Sequence, residues 1–201
     1  MKPLGIKLFV IAVAMFAATS AFADSTYDFS ADTYSIDGQS GYIDMQFNPG
    51  ASSTGAASAV ITNFISDATL GVVSPSGDVT GTLPGTVTIN NTTQFNDYFQ
   101  EVTFGDTVTF DLDLSSAPGN TFALSFFQSD GATPLLTTDL TDGYATTIDL
   151  NQTGPAVTNF SNQVTAEPVT TTPEPSTLLL VGSTLGLAGL VGLKRKVLEM
   201  I

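Results

Sequence analysis

Between Asp24 and Thr172 the chain carries 17 Asp and Glu residues and no Lys, Arg, His or Cys. All of its basic residues lie outside that stretch, at Lys2, Lys7, Lys194, Arg195 and Lys196. Such a segment has oxygen chemistry and little else. Without His, Cys and Lys it can build no Ser-His-Asp triad, thiolate nucleophile, Schiff base or imidazole metal ligand. Without Arg it has no bidentate clamp for carboxylate or phosphoryl groups. Paired carboxylates across a cleft could hydrolyse a glycosidic bond, and Glu101 with Asp97 or Asp106 would supply the pair. No Trp platform and no Asp-Thr-Gly accompanies them, so the expectation is a protein that is not an enzyme and has no catalytic residues. A hard cation is the better use for carboxylates, and calcium is the one met outside cells. Asp111 and Asp113, two apart and followed by Ser115, are the candidate metal ligands. A solvated strand face, or charges that deter edge pairing, would account for the same two residues. No other cofactor is expected. Nucleic acid is excluded as a partner of this segment, because phosphate binding relies on Lys and Arg.

The elements that would hold these side chains are strands. Val108, Phe110, Leu112 and Leu114 alternate with Thr107, Thr109, Asp111 and Asp113, the clearest period of two in the chain. Ile43, Met45 and Phe47 repeat the pattern, as do Val87 with Ile89, Phe122 with Leu124 and Phe126, and Ile148 with Leu150. Turn signals separate these runs: Asp37-Gly38, Ser76-Gly77-Asp78, Pro84-Gly85, Pro118-Gly119, Asp130-Gly131 and Asp142-Gly143. Phe95 to Phe104 alone is ambiguous, since Phe95, Phe99 and Val102 could line a helical face. The expected fold is all-β: an antiparallel two-sheet sandwich, jelly-roll-like, of roughly eight to ten strands over residues 24–163. Val164 to Thr172 has no periodicity and no large apolar residue, and reads as a linker. Tyr27, Tyr34, Tyr42, Tyr98 and Tyr144 are the residues on which a sugar could stack. They open the alternative reading of an extracellular carbohydrate-binding module, assisted by calcium in one form of it. For any one of them a place in the core is the competing reading.

Both ends of the chain are specialised. Met1 to Ala23 has Lys2 and Lys7, an apolar run from Leu8 to Ala18, and the small-x-small close of Ala21-Phe22-Ala23; it reads as a signal peptide cleaved after Ala23. Export through the Sec machinery and cutting by signal peptidase follow. At the other end, the 18 residues Ser176 to Leu193 carry no charge. As a helix they would reach roughly 27 Å, enough to span a hydrocarbon core. Lys194-Arg195-Lys196 follows as a basic stop, which places residues 197–201 in the cytoplasm as a tail and the acidic segment outside.

Directly before that helix stands Pro173-Glu174-Pro175. Two prolines flanking one Glu hold the chain extended and prevent the helix from running back through them. An extended, exposed segment is the shape in which a processing enzyme can bind main chain. The ordered set of Pro173, Glu174 and Pro175, the glycine-containing helix 176–193 and the basic stop 194–196 resembles the PEP-CTERM sorting signal of Gram-negative bacteria. Thr172 stands where Val is common in that family, and Val197 to Ile201 adds a non-basic ending. The resemblance implies an exosortase as processing partner, an inner-membrane intermediate held by the C-terminal helix, and release to the cell surface or extracellular matrix. It also implies a setting of exopolysaccharide and biofilm.

Overall fold

The computed structural model describes residues 24–115 and 117–169, which form thirteen strands and one short 3-10 turn, Tyr34–Ile36. The signal peptide with Ala21 and Ala23, the motif Pro173 to Pro175, the helix 176–193, the basic stop Lys194 to Lys196 and the tail lie outside the described residues. Among the described residues no helix is long and apolar enough to cross a membrane.

The first eight strands are β1 (Ser25–Asp32), β2 (Ser40–Pro49), β3 (Ser58–Ser66), β4 (Thr69–Ser76), β5 (Val79–Gly81), β6 (Val87–Asn90), β7 (Asp97–Thr103) and β8 (Thr107–Leu114). The remainder are β9 (Asn120–Gln128), β10 (Pro134–Leu135), β11 (Tyr144–Asn151), β12 (Gly154–Asn159) and β13 (Val164–Pro168). They form two antiparallel sheets, one ordered β13-β1-β8-β3-β6-β5 and the other β12-β11-β9-β2-β7-β4, with β10 added to β9. β1 lies beside β8, β2 beside β7 and β3 beside β6. That nesting is what results when a chain doubles back on itself and rolls up, as in a jelly roll.

The period of two decides which side chains fill the space between the sheets. On β8, Val108, Phe110, Leu112 and Leu114 are buried; on β2 the inward set is Ile43, Met45 and Phe47; on β9 it is Phe122, Leu124 and Phe126. Phe29 of β1 stacks on Phe110 at 4.7 Å and meets Phe122 of the facing sheet edge-on at 5.6 Å. This aromatic trio joins the two layers.

Three expectations change. Strands number thirteen rather than eight to ten, because edge strands β4 and β12 are largely exposed and carry little apolar pattern. Phe95 to Phe104 contains a strand, β7, whose alternation is disguised: Gln100 points inward and Phe99 outward. Gln100 is tolerated inside because its amide donates to the Gly71 and Glu101 carbonyls (3.0 and 2.9 Å) and accepts from the Tyr98 hydroxyl (3.0 Å). Finally, Val164–Pro168, expected as linker, is a strand. Val164–Pro168 pairs with β1 in register from Tyr27↔Pro168 to Ala31↔Val164, and Val164 and Ala166 are buried. Small side chains suffice there because β13 needs to cover only the margin of the core.

Candidate functional site

The outward face of the second sheet holds the most unusual chemistry among the described residues. Register sets Ser125, Asp44 and Phe99 side by side across β9, β2 and β7. The next row on the same face is Ala123, Gln46 and Asp97. Asp44 and Asp97 are thus diagonal neighbours, close enough for their side chains to meet. Their carboxyl groups lie within hydrogen-bonding reach of each other. Alternation alone would put both in water, yet Asp44 is 4% exposed and Asp97 9%.

Aromatic rings stand beside Asp44 on the same face. Tyr42 stacks on Phe99 at 4.4 Å, and Phe99 lies 6.3 Å from Phe127. Tyr144, opposite Ser125 in register, is near enough to feel the charge of Asp44. The turn at Gly143 (φ +80°) presses on this wall, where a Cβ would come within 2.9 Å of the Phe127 ring, so only glycine fits there.

A line of amides orients one of the two acids. The Asn96 N–H donates to Asn48 Oδ1 (2.6 Å), Asn48 Nδ2 to Gln46 Oε1 (3.0 Å), and Gln46 Nε2 to Asp44 Oδ2 (2.7 Å). Asp44 Oδ1 and Asp97 Oδ1 are buried and accept from no N–H or hydroxyl donor, which leaves the two carboxyl groups to hydrogen-bond with each other. Burial raises the pKa of Asp44 above the usual carboxyl range. Asp97 is pushed up to about 9, first by burial and then by its hydrogen bond to, and the charge of, Asp44.

The carboxylates singled out from the sequence are arranged differently. Asp111 and Asp113 do point outward from β8, but each accepts from its own partner, Asp111 from Asn63 Nδ2 and Asp113 from Thr26 Oγ1 (2.6 Å). Asp28 stands opposite both Asp111 and Glu167 in register, a row of like charges across three strands. Among the described residues no group of three or more acidic side chains is placed to hold a metal ion. Glu101 is four residues from Asp97 on one strand, about 13 Å away at ordinary strand rise, and accepts from the Val72 N–H (3.3 Å). Asp106 lies in the turn beyond β7, where its backbone N–H donates to Asp67 (3.0 Å). Asp97 therefore meets Asp44, which the alternation of β2 places on the outward face. One signal does point there: the consecutive aromatics Tyr98-Phe99 and Phe126-Phe127 each force one ring onto the outer face.

A second feature is a cleft of about 600 Å³ between the 3-10 turn, residues 136–138 and residues 160–163. Hydroxyls of Ser35, Thr137 and Thr138, amides of Asn162 and Gln163, and the ring of Phe160 line it, with no charged side chain among its lining residues. Gln163 Nε2 donates to Ser35 Oγ (2.9 Å), tying two walls together. Of the five tyrosines, Tyr27 and Tyr98 belong to the core, Tyr34 beside this cleft is 72% exposed, and Tyr42 and Tyr144 stand in the aromatic wall.

No curated protein and no solved structure matches the chain. A family model, the PEP-CTERM protein-sorting motif, matches over residues 171–196, which begin two residues after the last described one. The chain thus carries a PEP-CTERM sorting motif, which implies an exosortase as its processing partner and a destination at the cell surface or outside the cell.

Proposed function

We propose that this is a bacterial surface or extracellular-matrix protein without catalytic activity, delivered by exosortase and associated with exopolysaccharide or biofilm. The observation that carries the proposal is the motif match over residues 171–196. The route is export by the signal peptide, cleavage after Ala23, and retention in the inner membrane by residues 176–193 and the basic stop. Processing near Pro173-Glu174-Pro175 then releases the sandwich. The lack of imidazole, thiol, amine and guanidinium side chains between Asp24 and Thr172 supports a structural rather than a catalytic role. In the native host, Glu174→Ala with Pro175→Ala should trap the protein as a full-length membrane form and empty the surface fraction. Unchanged surface delivery of the double variant would contradict exosortase sorting.

The cleft favours a second reading, binding of neutral carbohydrate. Hydroxyls and amides without charge suit sugar hydroxyls, and the Phe160 ring offers an apolar face. Phe160→Ala should weaken binding to the host's own exopolysaccharide several-fold, as read by affinity electrophoresis. Binding that is equal in the variant would remove the cleft from consideration.

A further inference from the structure

We propose that Asp44 and Asp97 form a binding site for a hard divalent cation on the outer face of the second sheet, beneath the aromatic wall. It is separate from the Asp111 and Asp113 face, and it does not depend on the sorting motif.

Charge balance comes first. Two carboxyl groups, each at least nine-tenths buried, lie side by side, and no basic side chain exists anywhere from Asp24 to Val169 to pair with them. An isolated ionised carboxylate removed from water is strongly unfavourable. Inside this domain only two kinds of positive charge can offset the pair: protons, or a bound metal ion. One divalent ion against two carboxylates makes the site neutral, which is what a buried site requires.

Geometry comes second. Asp44 Oδ1 and Asp97 Oδ1 are buried without a hydrogen-bond donor, whereas Asp44 Oδ2 is held in place by Gln46 at 2.7 Å. The amide line from Asn96 through Asn48 fixes that orientation from behind. Two buried carboxyl groups within hydrogen-bonding reach of each other and served by no other donor at these oxygens need a positive partner between them, a shared proton or a cation. Two such oxygens on adjacent carboxyl groups form a ready pair of ligands. Hydroxyl residues add neutral oxygens in the same two rows: Ser125 stands opposite Asp44, and Ser76 opposite Asp97. An all-oxygen donor set suits calcium and magnesium over softer metals. Tyr144 and Tyr42 flank the site, so an ion there would lie close to two phenol rings.

The test uses the full-length chain in mild detergent, first treated with a chelator. Calcium or magnesium, added from micromolar to low millimolar, should raise the melting temperature. Terbium should show emission sensitised by tyrosine, and calcium should compete it away. Both responses should vanish in Asp97→Asn and in Asp44→Asn and persist in Asp111→Asn with Asp113→Asn. Because Asn is nearly isosteric with a protonated Asp, Asp97→Asn is expected to unfold cooperatively in chelator, which establishes that it is folded. Overturning results are no divalent-ion response at all, a response retained in both Asp97→Asn and Asp44→Asn, or one abolished by the Asp111 and Asp113 changes. The first of these would leave the pair as a shared-proton dyad.

Discussion

In chelator at pH 7, Asp97→Asn should stabilise the sandwich by on the order of 2 kcal/mol. The folded pKa of Asp97 is about 9, against about 3.9 for an unfolded Asp. At pH 7 the native state must therefore hold a proton that the unfolded chain has released. That requirement costs at most about 1.4 kcal/mol per pH unit above the unfolded value, roughly 4 kcal/mol in all, and relaxation around the pair reduces it. Asn needs no proton and can donate its amide to Asp44. The sign follows from linkage. A raised folded pKa contributes stability that is fully present below about pH 4 and is lost as pH rises through about 9. The wild type should thus lose stability steadily across that window in chelator, and the Asn variant should have a flatter profile. Asp130, drawn down to about 2 chiefly by the Thr133 hydroxyl and then by backbone N–H groups, acts in the opposite sense. So does Asp67, held low by the Asp106 and Thr107 N–H groups. Their contributions are present above the unfolded pKa and are lost as pH falls, for Asp130 toward about 2. Chemical denaturation at several pH values would measure the whole curve. A less stable Asn variant with the wild-type pH slope would show that the pair is not desolvated.

Phe122→Ala should be the most damaging single change in the core. Phe122 is fully buried, and its ring meets Phe29, which in turn stacks on Phe110. Truncation removes an aromatic contact between the two sheets and leaves a cavity, at a cost of about 3–5 kcal/mol. For a domain whose total stability is about 5–15 kcal/mol, the melting temperature should fall by roughly 10–20 °C. Differential scanning calorimetry of residues 24–169 would read it. A fall of only a few degrees would mean that neighbouring side chains close the gap.

Where the sequence pattern is strict, it foretold the fold. The alternation on β8 names its buried residues without exception, and the turn pairs at Gly38, Gly77, Gly119, Gly131 and Gly143 all carry the positive φ that such turns require. The pattern failed where burial depends on distant chain. β13 has only Val164 and Ala166 to bury, and its identity as a strand comes from pairing with β1 at the far end of the domain. Asp44 occupies an outward position by its own strand's alternation. It is buried, with Phe99 of β7 and Tyr144 of β11 beside it from other strands. The acids accordingly do not behave alike. The marked increases belong to one enclosed pair, while turn donors hold Asp67 and Asp130 low. The sorting motif was legible from the start because it is local: Pro173, Glu174, Pro175, the apolar run and the basic stop follow one another without any fold to position them.

Intact-mass spectrometry of the protein recovered from the cell surface or medium tests the sorting claim most directly. The expected species begins at Asp24 and ends upstream of Leu178, so that residues 178–201 are missing. A surface species that still carries Lys194 to Ile201 would contradict cleavage at the motif and leave the C-terminal segment as a permanent anchor.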